Sequence, residues 1–407
     1  MPESFSVSFK HLSPISDLRS SYTAPRAAVV CNEYATRLYL SARPNVDDKG
    51  RPLARGDAKA QAEQTFAALA ALLQLAGRGP EHLVVVPTST VSDPAVVATV
   101  RDVQHATLGS SYAALDTCAP PVARGHMLSV QAYAVAPQEG QSFRRDLIEL
   151  DEPGSPNAVE LEYGGFRHLY AGGLTGALAA GRSLAEQSVA VFECCDRLLK
   201  SAGLTIRDVP RAHIYYDGPY QELRDARHAY LGRCGLTTDE LPASTGIYTP
   251  VAHGNVAVRL RAVQATGELP LVNRAVAPRT QSEAFAYGSL FTRARWVETD
   301  IAELEVSGTA SMGRDGKVKY SGKPRAQTRK AHENVLDLLD ACGLSYRHCV
   351  RHISYLLHPR HRRTWEAVFE QTSMGAVETP PLMQLQTGIC WGKLLVEDEV
   401  TAVAARG

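Results

Sequence analysis

The chain has 407 residues, with Lys+Arg and Asp+Glu both at 43, so its formal net charge at neutral pH is zero. That balance excludes a globally basic nucleic-acid binder or a protein drawn to anionic membranes, so any preference for anions must be local. The length is too great for one ordinary core and predicts roughly two to four domains.

Met1 to Pro14 has no apolar core of signal-peptide length, and no apolar run is long enough to span a bilayer. A cytoplasmic protein without membrane partners is expected. Cysteines stand at 31, 118, 194, 195, 234, 342, 349 and 390 with no CxxC pair. In a chain of this length they read as reduced thiols rather than a disulfide framework or a zinc site.

In chain order, the first pattern is a short strand at Leu38–Ser41, an amphipathic helix from Gln61 through Leu72-Leu73 to a Gly stop at Gly77, and a strand from His82-Leu83 to Val86. The same pattern returns at Leu169–Gly172, Gln187 through Leu198-Leu199 to Gly203, and Tyr215. It returns again at Leu304–Gly308, Gln327 through Leu338-Leu339 to Gly343, and Tyr355. The second and third copies superpose without a gap at a shift of 140, the first and second at 126. Each copy reads as a helix with a glycine stop followed by a strand.

Closing strands are expected at Met127–Ala132, Val256–Leu260 and Leu394–Glu397, with Thr245-Gly246-Ile247-Tyr248 matching Thr387-Gly388-Ile389-Cys390 ahead of the last two. The stretches Ala136–Pro156 and Leu269–Arg279 read as linkers. The expected architecture is α/β (α+β): three compact tandem units at 1–140, 158–268 and 279–407, with mixed sheets and helices on one face.

The chemistry concentrates in Thr387–Glu397, read as one last strand with a thiol near its start and a carboxylate at its end. A carboxylate after Leu-Leu-Val reaches water, finds a cation, or stays protonated with a raised pKa, and the last state is what a general acid requires. In isolation the pair reads as a solvated strand-end Glu beside a small buried Cys. Comparison of the copies favours function: Glu397 lines up with Arg259 and with Val130 or Gln131, and Cys390 with Tyr248. A residue needed by the fold should recur in all three.

Ser307-Gly308, Gln327-Thr328, Asn334-Val335, Leu338-Leu339, Gly343 and Val396-Glu397 together resemble the YjgF-like reactive-intermediate deaminase family. Those proteins are homotrimers of single units with ligand clefts between neighbours, so three copies in one chain imply an internal pseudo-trimer, expected to be a monomer. The deaminases place a carboxylate-binding Arg about fifteen residues before the strand Glu. Here that position is Leu382, which counts against imine or enamine hydrolysis.

Over residues 165–405 the chain is more similar to the chorismatases, which are built from this fold and remove pyruvate from chorismate. The match runs through Tyr220 and Arg227, Leu241–Ile247, Phe291–Trp296, Val306–Ala310 and Thr387–Glu397. The resemblance implies Glu397 as catalytic acid and Cys390 as its assistant. Gly308 with Cys390 follows the 3-hydroxybenzoate-forming members, whereas diol-forming members carry Ala at both. Family members usually have an acidic residue and an Arg where this chain has Gly388 and Trp391.

A dicarboxylate substrate calls for cations that bind in fork geometry. Arg227 and Arg293 are the candidates, and the resemblance adds Tyr220, Gly308 and Gln327 as substrate contacts. The basic run His358–Arg363 reads as a solvated turn, Cys194-Cys195 as core thiols, and His168, His213, His253 and His348 show no metal spacing. No phosphate loop or dinucleotide fingerprint is present, so no cofactor is implied. A catalytically silent small-molecule-binding protein is the alternative from another class. It would keep its ligand after loss of Glu397 and have no turnover to lose.

Overall fold

The structure, a computed structural model, describes residues 8–12, 25–47, 49–150, 157–175, 179, 181–373 and 379–407. Most of the N-terminal stretch through Pro14, and part of the expected linker before Pro156, lie outside them.

Each unit is a mixed sheet carrying two helices on one face. The first comprises β1 (Ser8–Leu12), β2 (Arg26–Cys31), β3 (Ala35–Ala42), α1 (Ala58–Leu75), β4 (Leu83–Thr90), α2 (Pro94–Leu108), β5 (Ala113–Thr117) and β6 (Leu128–Pro137). The second comprises β7 (Arg144–Ile148), β8 (Ala158–Tyr163), β9 (Phe166–Thr175), α3 (Leu184–Ser201), β10 (Arg211–Tyr216), α4 (Tyr220–Arg233), β11 (Ala243–Tyr248) and β12 (Val256–Ala265). The third comprises β13 (Val272–Ala275), β14 (Ala294–Glu298), β15 (Ala302–Val306), β16 (Thr309–Ala310), α5 (Pro324–Asp340), β17 (Cys349–Leu356), α6 (Arg362–Thr372), β18 (Leu382–Gln386), β19 (Gly388–Ile389) and β20 (Val396–Ala404).

In every sheet the closing strand lies in the centre. It is antiparallel to the strand before the first helix on one side and to the strand between the helices on the other, as in β3-β6-β4, β9-β12-β10 and β15-β20-β17. The first helix buries an apolar stripe such as Val191, Leu198 and Leu199 of α3 or Val335, Leu338 and Leu339 of α5. Its glycine stop has positive φ in all three copies (Gly77 68°, Gly203 65°, Gly343 70°), a left-handed conformation that costs glycine nothing.

The glutamine that opens each helix performs one task three times. Oε1 of Gln61, Gln187 and Gln327 accepts from the backbone N–H of Met127 (2.9 Å), Asn255 (2.7 Å) and Leu395 (2.8 Å), each one residue ahead of its closing strand. This bond between first helix and last strand explains why the glutamine recurs.

Three expectations are corrected by strand pairing. The stretches read as linkers contain strands: β6 runs to Pro137, and β7 and β13 pair with β8 and β14 as sheet edges, ahead of the expected unit starts at 158 and 279. Thr387–Glu397 is not one strand, because Gly392 and Lys393 (φ 77°) turn the chain between β19 and β20. The two Thr-Gly-Ile stretches are not equivalent. β11 pairs with β10 in parallel, the place β18 takes beside β17, whereas β19 crosses over and adds antiparallel to the edge of β11 (Ile247↔Ile389).

The same registers correct the comparison of copies. Tyr355 faces Glu397, Tyr215 faces Ala257 and Ser89 faces Ser129, so the counterparts of Glu397 are Ala257 and Ser129, while Arg259 corresponds to Glu399. Glu397 still occurs in one unit alone.

The sheet faces without helices turn toward one another. Arg37 of the first unit pairs with Asp300 of the third, which also accepts from Asn32 Nδ2 at 2.8 Å, and Tyr39 donates to Glu303 at 2.8 Å. Between the second and third units, Arg211 and His213 meet Glu399 at 2.8 and 3.0 Å, and Arg261 meets Glu303. Among the described residues no helix is long and apolar enough to cross a membrane.

Candidate active site

A cleft between the second and third units takes one wall from β11 and α4 and the other from Arg293, Gly308 and β20. The walls are joined by bonds from backbone N–H groups to side-chain hydroxyls: Ser244 N–H donates to Ser307 Oγ at 2.8 Å, and Gly308 N–H to Thr245 Oγ1 at 2.9 Å.

Glu397 is the second residue of β20, held between Tyr355 of β17 and Ala310 of β16. Alternation along β20 sends Glu397 and Glu399 to the face shared with the second unit, and Asp398 to the helix layer, where it accepts from Trp365 Nε1 at 2.9 Å and contacts His352 and His332. Glu397 lines the cleft, is 8% exposed, and among the described residues has no hydrogen-bond donor within reach. Burial, then the charge of Glu399, pushes its pKa up to about 8 against the opposing pull of Arg293. At neutral pH its carboxyl therefore carries a proton.

Cys390 follows β19 and is brought to the same cleft by the crossover. Its thiol donates to the Gly246 carbonyl at 2.9 Å and accepts from the Tyr216 hydroxyl at 3.2 Å. Burial and the nearby Glu397 carboxyl push it up to about 12, so it is a neutral thiol and a hydrogen-bonding group, not a thiolate nucleophile. Gly246 beneath it leaves room: a Cβ there would stand 3.4 Å from Sγ.

Two buried guanidiniums face the cleft without an ion-pair partner among the described residues. Arg293 precedes β14, donates from Nε to the Ser282 carbonyl (2.9 Å) and from an Nη to the Tyr287 hydroxyl (2.7 Å), and lies over the Tyr287 and Phe291 rings. Arg227 on α4 also lies over the Phe291 ring, and burial lowers its pKa. An unpaired buried cation is costly, so a pair of them with open space in front is arranged for anionic groups.

Tyr220 opens α4, packs on Tyr216 with ring centroids 5.7 Å apart, and lines the cleft with Arg227. Arg224, absent from the sequence-based set, lines it too. The signal was available: positions 220, 224 and 227 share one helical face.

Gly308 lies beside Glu397, where a Cβ would overlap Oε1 and come within 2.9 Å of Thr245 Cγ2. Gln327, expected as a substrate contact, is not among the cleft residues. Its Nε2 donates to the Lys393 and Tyr320 carbonyls (2.8 and 3.2 Å), the two non-glycine residues of positive φ among the described residues, and its Oε1 holds Leu395. It fixes the turn that carries Trp391.

Trp391 lies at the mouth, 37% exposed, edge-on to Tyr287 at 5.3 Å, and so buttresses the tyrosine that holds Arg293. Gly388 is required by Tyr248, opposite it in the β11–β19 pair: a Cβ would meet the Tyr248 ring at 2.5 Å. Leu382 is buried in the apolar core of the third unit.

Neither a protein-family model nor a curated protein sequence matches the chain. A solved chorismatase structure superposes with a TM-score of 0.56 at 15% identity, covering 79% of this chain and 93% of that one. A putative endoribonuclease L-PSP from Entamoeba histolytica (TM-score 0.29, 16% identity) covers 33% of this chain and 100% of its own, and yeast Mmf1 (0.28, 18%) covers 32% and 98%. The fold of this chain is the one seen in the chorismatase structure, with three tandem units, each a mixed sheet carrying two helices, in one polypeptide.

Proposed function

We propose that the protein is a chorismatase-like enzyme that releases pyruvate from chorismate and forms 3-hydroxybenzoate, a product suited to secondary metabolism, and that it acts as a monomer. The observation that carries this reading is the buried carboxyl of Glu397, its pKa raised by burial, which has no hydrogen-bond donor among the described residues and shares its cleft with two buried arginines that have no ion-pair partner among them.

Cleavage of an enolpyruvyl ether begins with proton delivery to its terminal methylene carbon, which leaves an oxocarbenium ion. Carbon is a slow proton acceptor, so the acid must be strong yet still protonated near neutral pH, and a carboxyl raised to about 8 meets both demands. As Glu397 gives up its proton it becomes an anion beside the new cation and stabilises it. Arg227 and Arg293 bind the substrate carboxylates, and both pack on Phe291.

The neutral thiol of Cys390 hydrogen-bonds the ring oxygen as it moves toward the oxocarbenium carbon and the ring aromatises. Pyruvate and 3-hydroxybenzoate together contain the atoms of chorismate, so this route takes up no net water, whereas the diol route consumes one. Space for the acid comes from Gly308.

The test is incubation of purified protein with chorismate and no added cofactor, with pyruvate followed by a coupled assay, the aromatic product by chromatography, and Glu397→Gln as control. Equal amounts of the two products, lost in the variant, are expected. A folded wild-type protein that releases no pyruvate would overturn the reading.

A further inference from the structure

A second cavity, of about 80 Å3, lies where the helix-free faces of the three sheets converge, lined by residues from every unit. Its walls are equivalent positions that have diverged in charge. The registers set Tyr39, Tyr170 and Glu305 directly beside Tyr133, Arg261 and Thr401 at one level, and Gln131, Arg259 and Glu399 at the next. The first unit contributes neutral side chains, the second arginines, and the third mainly carboxylates.

The pairing does not close. Arg37 is matched by Asp300, Arg261 by Glu303 and Glu305, and Arg211 and Arg351 by Glu399, at 2.8 and 3.3 Å. Arg259, 8% exposed, has no carboxylate within ion-pair distance among the described residues. Its guanidinium lies against the His213 ring, with an Nη 3.1 Å from Nδ1. Burial and the flanking Arg211 and Arg259 keep that imidazole neutral, so it supplies no compensating charge, and burial lowers the pKa of Arg259 itself. Arg211 adds a buried donor: its second Nη has no hydrogen-bond partner among the described residues. At the cavity four guanidiniums, of Arg211, Arg259, Arg261 and Arg351, thus meet three carboxylates, of Glu303, Glu305 and Glu399, in a buried centre, an arrangement costly to leave uncompensated.

We infer that this central cavity binds one small monovalent inorganic anion of chloride size, held by Arg259. The space suits such an ion: about 80 Å3 holds several waters or one partly hydrated halide. The anion closes the charge balance at the junction of the three units and so stabilises the assembled chain. The site is distinct from the Glu397 cleft and stands whether or not chorismate is the substrate.

The test compares thermal unfolding of the full chain in sodium chloride and sodium gluconate at equal ionic strength, together with bromide-soaked crystals read at the bromine edge. Expected are a saturable rise in Tm of a few degrees between 1 and 100 mM chloride, absent in gluconate, and an anomalous peak beside Arg259. Arg259→Gln should abolish the chloride dependence. If that variant does not fold, the wild-type halide curve and the bromide peak decide alone. Identical chloride and gluconate curves would overturn the proposal, as would bromide absent from the cavity.

Discussion

Gly308 and Glu397 occupy complementary space: a methyl group at 308 would overlap the carboxyl oxygen of Glu397 and press on Thr245 at 2.9 Å. The steric demand lies in the cleft, not in the backbone, since Gly308 is absent from the positive-φ residues. Gly308→Ala should therefore leave Tm within about 2 °C of wild type while lowering kcat for pyruvate release roughly 10–100-fold, the penalty for displacing an acid by about an ångström. Steady-state kinetics alongside a melting curve separates the two effects. Unchanged kcat would show that the carboxyl does not work from this position.

The raised pKa of Glu397 gives two pH dependences. As an acid, Glu397 must be protonated, so kcat/KM should be level below neutrality and fall tenfold per pH unit above about 8. For stability, its folded pKa exceeds the unfolded value. Its favourable contribution is complete below about 4.5 and is lost progressively as pH rises through about 8. Glu397→Gln, which cannot ionise, should match wild type in urea unfolding at pH 5 and exceed it at pH 9. The opposite order would mean that the carboxyl is anionic in the folded protein.

Cys390, with its pKa pushed up to about 12, should resist iodoacetamide at pH 7.5 in the folded protein and react once unfolded, a difference that peptide mass spectrometry reads directly. Cys390→Ala should preserve pyruvate release within about 10-fold, because proton delivery belongs to Glu397, and should divert the aromatic product away from 3-hydroxybenzoate. Complete loss of pyruvate release in a folded variant would give the thiol a larger part.

Gln327 and Gln187 make equivalent bonds to the residue ahead of their closing strands, at 2.8 and 2.7 Å. Replacing either by Ala leaves a buried backbone N–H unpaired and should cost about 1–3 kcal/mol in urea unfolding. Only Gln327→Ala also loosens the Trp391 turn, and it should raise KM while Gln187→Ala does not. Equal KM values would place the turn outside the binding surface.

Much of the fold was legible because its signals are local. Helical periodicity, a glycine stop of positive φ and a recurring glutamine are properties of neighbouring residues, and they marked the three units. The unusual setting of Glu397 was legible for the same reason: a carboxylate after Leu-Leu-Val has few ways to be satisfied. Arg227 emerged with Tyr220 from the resemblance to the chorismatases, and Arg224, on the same helical face, was within reach of helical periodicity.

The pairing of strands is a different kind of information. Whether Thr387–Glu397 is one strand or two depends on which sheet edge receives Ile389, and the bonds that decide it come from Ile247, more than a hundred residues away. The same non-local pairing made Ala257 rather than Arg259 the counterpart of Glu397 and turned Gln327 from a substrate contact into a clamp on a turn. The sequence by itself determined the repeat and the residue types that chemistry would need. Only the tertiary structure decided which of them share a cleft, because backbone hydrogen bonds between strands carry no side-chain signature.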